Sequence, residues 1–336
     1  MRSTSKFLAA AFIYSAFAVY LYLPHFRGFQ ALHLRDAFAV NVSLASLGCF
    51  LLSRRWVASF WASLFAGAIY GFGPFTLGLA AYHPTVSLLT AAVPWLFCPA
   101  AFVHKTNWRL AAWPLSALPF IAIILFFQTA LHFRLFAVPI QARLHLADLR
   151  GLLAPLVVVS STPVFVSFYH IPVAPLIIGI AMLIAAQRIG IILIFLLGAV
   201  LAFSNPFLEI SPVIWLTIPV LCCSVLIGAG MQGLTAAGPA DKIWFLLTTA
   251  VMAALSAVAI LLSAKFAVAP PQISLDSATL FLKTAKTYII GAFLVAFFYF
   301  TALSKLHIAL LRLLILSAAM AADIFLSAGF IFDRVF

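Results

Sequence analysis

From Gly151 to Leu234 the chain carries only two charged side chains, Arg188 and Glu209, and nearly everything around them is apolar. Such a stretch belongs in lipid, where about 20 apolar residues in a row carry a helix across the hydrocarbon. The remainder of the 336 residues reads the same way, 66% hydrophobic and 8% charged. Soluble domains carry about 25% charged residues. The expected fold class is therefore all-α: a polytopic integral membrane protein, one transmembrane domain over residues 1–336. The length criterion allows about 11 transmembrane helices, within roughly 10 to 12.

The net charge is +12, but the basic residues stand in ones and twos at the ends of apolar runs. That is the distribution of loop charges that set topology and meet anionic head groups, so no nucleic-acid partner is expected. Cys49, Cys98, Cys222 and Cys223 fall inside apolar runs without a Cys-x-x-Cys spacing. They read as small buried hydrophobes, neither a disulfide frame nor a metal site. His25, His33, His83, His104, His132, His145, His170 and His307 lie at or near segment ends, which argues against ligands for a membrane haem. No cofactor and no metal are expected. Arg2 and Lys6 ahead of an apolar run could open a signal peptide with Ala16-Phe17-Ala18 as its cleavage site. The run continues through Leu23 without a polar break, so a retained first helix is expected.

Apolar runs and polar breaks predict helices near 7–23, 37–53, 57–81, 85–103, 111–131, 189–208, 212–234, 243–265, 286–303 and 308–332. Between the fifth and sixth of these lie a polar loop to about Arg150 and a region, 151–187, interrupted by Pro155, Pro163, Pro172 and Pro175. Broken backbone at membrane depth is tolerated where protein or a wet cavity supplies hydrogen bonds. Ser160, Ser161 and Thr162, three hydroxyls just before Pro163, make this region a candidate pocket wall and substrate-binding segment.

Two loops share an order of residues. His25-Phe26-Arg27 leads to Leu32-His33-Leu34-Arg35-Asp36, and His132-Phe133-Arg134 leads to Leu144-His145-Leu146-Ala147-Asp148. Gly67-Ala68 through Pro74-Phe75 is matched by Gly198-Ala199 through Pro206-Phe207 with one inserted residue. These identities predict a tandem repeat of four-helix units over about 7–110 and 111–242, with a partial unit over 243–336. Four helices separate the paired loops, so both should emerge on one face. Arg2, Lys6, Arg54, Arg55, Lys105 and Arg109 mark the opposite face as cytoplasmic. The setting expected is a bacterial inner (plasma) membrane with the N-terminus inside. Arg188, beside Gly190, aligns with Arg54 and Arg55 at a helix-helix turn, and this spares the membrane interior a buried charge.

Of the seven acids, Asp323 alone falls inside a strongly apolar helix, where a carboxylate is costly and usually faces an interior or a partner. It is a candidate substrate or coupling residue. Arg312, eleven residues earlier, shares its face but stands too far along the helix to pair with it directly. Glu209, the one glutamate, lies in a short connection between Pro206 and Pro212 and is a weaker substrate-binding candidate. Asn41 and Gln128 fit interhelical hydrogen bonding. His33/Asp36 and His145/Asp148 are candidate catalytic pairs able to move protons, and equally each Asp could cap the helix that follows.

The signatures of a phosphate loop, a His-Glu-x-x-His zinc site, a Gly-x-Ser-x-Gly nucleophile and an Asp-rich Mg²⁺ pair are absent. An ATP-driven pump and a zinc protease are excluded, and the balance leans away from an enzyme. Tyr70-Gly71-Phe72-Gly73-Pro74-Phe75 followed by Tyr82-His83-Pro84 resembles a helix-turn-helix passage of polytopic glycosyltransferases that use lipid-linked sugars. That family shares an acid-bearing first external loop. Here the loop is short and holds Asp36 alone, so the likeness, which ends at Pro84, assigns no family. Three functions fit these residues. The first is a permease or lipid/solute-handling protein with a cavity near 151–175. The second is a structural or assembly subunit of a larger membrane complex. The third is a membrane-embedded glycosyltransferase-like enzyme using Asp36 or Asp148 as base. The expected partners are the lipid bilayer and other membrane subunits.

Overall fold

The structure is a computed structural model that describes residues 2–25, 38–82, 84–103, 109–133, 173–185, 189–236, 241–267, 271–303 and 309–335. Apolar runs this long have only helical hydrogen bonding to satisfy their backbones in lipid, and the described residues form no named strand. The helices are α1 (Arg2–Tyr22), α2 (Phe38–Ser53), α3 (Phe60–Gly71), α4 (Pro74–Tyr82), α5 (Pro84–Phe102), α6 (Arg109–Ser116) and α7 (Leu118–His132). There follow α8 (Val173–Ala185), α9 (Ile189–Phe203), α10 (Pro212–Trp215), α11 (Thr217–Ala236), α12 (Lys242–Ala267), α13 (Pro271–Leu303) and α14 (Ala309–Val335).

Among the described residues, six helical segments are long and apolar enough to cross a membrane, or seven if the bent α3–α4 pair is one span. The apolar helices α2, α8 and α9 have 16, 13 and 15 residues, short of the roughly 20 that a perpendicular crossing needs. The described residues thus show six or seven full-length crossings together with shorter apolar helices. The predicted helix 57–81 is two helices bent by 43°. The predicted helix 286–303 begins earlier, at Pro271. Helix α8 is described to Ala185 and α9 from Ile189.

The centre is α11. The span it forms with α10, Pro212–Ala236, is 72% buried, against 22% to 44% for the other five spans. Small residues let its neighbours approach, as close crossings in lipid require. A methyl built on Gly230 would overlap the Pro175 carbonyl of α8, and one on Gly179 of α8 would overlap the Leu226 carbonyl. On the other side, Gly228 lies against Ala62 and Ala66 of α3. One core joins α11 to α1, α2, α3, α8 and α12–α14. A second joins it to α2, α4, α5, α7, α9 and α10.

At two of the prolines that interrupt this frame, another donor takes the carbonyl the proline frees. Pro74 has no N–H for the Tyr70 carbonyl one turn back, and Thr76 Oγ1 donates to that oxygen instead at 2.6 Å. Pro94, inside α5, likewise frees the Thr90 carbonyl, which accepts from Tyr70 Oη at 2.7 Å. The start of α3 is capped from a distance: Gln232 Oε1 of α11 accepts from the backbone N–H groups of Ala58 and Ser59 at 2.6 and 3.0 Å. These bonds are the reason a broken chain holds a fixed shape here.

Candidate functional site

A half-open cavity of about 700 Å³ lies beside the 54–57 turn, within the range of roughly 300–1,000 Å³ common for small-molecule sites. Its wall comes from α2, α5, α6, α8, α9 and α11, and Leu52, Phe97, Met182, Ile194 and Val225 give it an apolar surface. Two indoles, Trp56 and Trp113, stand in the lining. Trp113 is 60% exposed.

Among the described residues, one cation is set into this wall. Ser53 ends α2, and the chain turns through Arg54 and Arg55, whose N–H groups bond back to the Phe50 and Leu52 carbonyls at 3.1 Å each. Arg55 reaches the end of α5, where its Nε donates to the Ala101 carbonyl at 2.8 Å. A carbonyl in a helix's last turn has no intrahelical donor, and a cation there complements the helix dipole. The bond uses the Nε donor, and the guanidinium's other donors are on its two terminal nitrogens. Arg54 is used differently: its Nη1 donates to the Ala58 carbonyl at 2.5 Å within the turn, and it does not line the cavity. Ser116 and Cys222 add the polar atoms of a hydroxyl and a thiol to the lining. The Ser116 hydroxyl is engaged with the Trp113 carbonyl at 2.7 Å. At Gly190 the wall is open, since a methyl built there would meet nothing within 4 Å.

The sequence-derived candidates fall elsewhere. Ser160, Ser161, Thr162, His33, Asp36, His145 and Asp148 lie outside the described residues. Glu209 is exposed at a tight turn beyond α9. Asp323 is half-buried on α14 and is not a free carboxylate; neither residue lines the cavity. Arg312, which shares Asp323's helix, is 6% exposed, and its Nε donates to Thr301 Oγ1 of α13 at 3.0 Å. That contact ties α13 to α14. Gln128 bonds to a turn and not to a second helix, its Nε2 donating to the Leu208 carbonyl at 2.9 Å.

Among the described residues no group of three His, Cys, Asp or Glu side chains could hold a metal ion, and the four cysteines are free thiols. Sequence reasoning missed Arg55 as a site residue by counting it as a topology charge. The available signal was its position beside Trp56, a cation and an indole together at the end of an apolar run. No family model, curated protein or solved structure matches the chain.

Proposed function

We propose that this is a permease or lipid/solute-handling protein of the membrane, and that the cavity bounded by α2, α5, α6, α8, α9 and α11 is where its ligand sits. One observation carries the reading: an apolar chamber of about 700 Å³ with an anchored cation, Arg55, in its wall. Apolar walls with few placed polar groups are the general form of small-molecule sites. In membrane carriers such sites gather where helices are short or broken, and α2, α8 and α9 are short. The finer parts of the proposal rest on sequence: about eleven crossings with the short helices counted, and a duplicated four-helix unit supported by its loop identities. The same holds for a bacterial plasma-membrane setting with the N-terminus inside. The bilayer is the expected surrounding, with other membrane subunits beside the outward aromatic face of α13 at Phe293 and Phe300.

Gly190 gives the test. A Cβ at this position meets nothing within 4 Å, so a Leu side chain is expected to project into the open space of the lining. Native mass spectrometry of wild-type protein should show co-purifying amphipathic adducts, and Gly190→Leu should lose most of them while keeping its melting midpoint. Identical adducts in the two proteins would count against the cavity as a ligand site.

A further inference from the structure

We infer that the ligand of this cavity is a lipid with an anionic head group, its phosphate or carboxylate on Arg55 and its acyl part along the apolar wall. The inference rests on the proposed role of the cavity as a ligand site and adds the chemistry of what enters it.

Three observations favour it. First, the guanidinium is already oriented by Ala101, and its open fork matches the paired oxygens of a carboxylate or phosphate. Among the described residues, no acidic side chain lines the cavity to occupy it. An anionic occupant would pair with this partly buried cation, which a neutral one would leave to water.

Second, the lining helices α2, α5, α6, α8, α9 and α11 carry no acid of their own. No acid occurs between Asp36 and Asp148 or between Asp148 and Glu209, whereas Arg54, Arg55, Lys105, Arg109 and Arg188 punctuate the segments that supply the lining. Glu209 follows the end of α9 away from Gly190. Those 15 residues make a helix about 22 Å long at 1.5 Å per residue, too far for a Coulombic pair at ordinary ionic strength.

Third, the wall is that of a lipid site more than of a free-anion site. Phe97, Met182, Ile194 and Val225 have nothing to offer an inorganic ion, and Trp56 and Trp113 are the residue type that sits at head-group depth. A bare phosphate would satisfy Arg55 and leave the rest of the chamber unfilled.

The test uses the full chain in phosphatidylcholine nanodiscs, titrated with phosphatidic acid brominated on its acyl chains. The signal is Trp56 fluorescence, taken as the difference between wild type and Trp56→Phe. Saturable quenching at low mole fraction of the brominated acid is expected. Half-saturation should shift about tenfold or more in Arg55→Gln, the size of effect a lost charge-assisted bond produces. Arg55→Lys should recover part of the shift, which keeps the test decisive if the Gln variant folds poorly. Arg54→Gln should stay within about twofold of wild type, since its bond is local to the turn and worth little.

Equal quenching by brominated phosphatidylcholine, with Arg55→Gln unmoved, overturns the anionic head group and leaves the cavity as a site for neutral lipid. No quenching of Trp56 by either lipid overturns the cavity reading beneath it. Relief of the quench by inorganic phosphate alone reassigns Arg55 to a free anion and overturns the lipid.

Discussion

The break between α3 and α4 and the break between α9 and α10 begin from nearly the same residues, Gly67-Ala68 to Pro74-Phe75 and Gly198-Ala199 to Pro206-Phe207, and they end as different structures. In the first, the chain bends by 43° and continues as a helix. In the second it leaves the helix at Phe203 and closes a tight turn, with Ile210 N–H bonded to the Phe207 carbonyl at 3.1 Å. Leu208 and Glu209, at the centre of that turn, have φ of 53° and 62°. The difference lies in what surrounds each proline. Thr76 supplies the Tyr70 carbonyl with a replacement donor, and Gly71 and Gly73 let the bend close against α2 and against its own preceding turn. The second segment has Ala202 and Ser204 at the positions of those glycines. A shared motif therefore fixes where a helix is interrupted, and its neighbours decide whether the helix resumes.

The strongest way to break this contrast is at Gly71. A methyl here would overlap Ser46 Oγ and press on the Val42 carbonyl and the Ser46 backbone nitrogen at 2.7 and 2.9 Å. The hydroxyl can rotate, but the backbone atoms cannot give way cheaply. Gly71→Leu should therefore cost about 3 kcal/mol or more, the upper end of overpacking penalties. The expected result is loss of monodisperse protein in size-exclusion chromatography, while Gly190→Leu, entering open space, passes the same assay.

Next in size is Thr76→Val, which keeps the shape and removes the donor to Tyr70. A buried carbonyl left unpaired costs about 1–3 kcal/mol, so the unfolding midpoint in mixed micelles should fall accordingly. Thr76→Ser, retaining the hydroxyl, should recover most of the loss. If Val and Ser behave alike, the bond does not hold the bend.

The second break predicts the opposite sign. A left-handed conformation costs an ordinary residue roughly 1–2 kcal/mol, and a turn with positive φ at both central positions is the one that Asn-Gly favours. Leu208→Asn with Glu209→Gly should therefore stabilise the protein by about 1–2 kcal/mol in the same unfolding assay, whereas introducing a side chain at Gly71 destabilises it. No stabilisation would mean that the turn is not under backbone strain.

These two breaks also mark how far the sequence could be read. Helix positions follow from local apolar runs, which is why 37–53 and 85–103 anticipate α2 and α5 closely. Pro74 and Pro206 announce interruptions because a missing N–H is a local fact. The Phe207–Ile210 turn was not legible, since Leu-Glu carries none of the residue preferences that signal positive φ. The cavity was not legible either. Arg55 and Ala101 are 46 positions apart, and the acceptor is a backbone carbonyl that no residue type reveals. Gln232 capping Ala58 and Ser59 is hidden for the same reason, a side chain on one helix serving the free backbone end of another.

The smallest effect should come from Gln128, the link between α7 and the strained turn. Its side chain is exposed, and Nε2 donates to the Leu208 carbonyl at 2.9 Å. Gln128→Ala should cost only about 0.5–1.5 kcal/mol, the net worth of an ordinary hydrogen bond. Its value is in the combination with the turn variant Leu208→Asn, Glu209→Gly. If Gln128 helps force Leu208 into its left-handed conformation, removing it matters less once the turn adopts that shape unaided, so the double-mutant cycle should be non-additive by about 0.5 kcal/mol or more. Additive effects would show that Gln128 only adds a contact, and that the second break owes its shape to the short path from Phe203 to Pro212 alone.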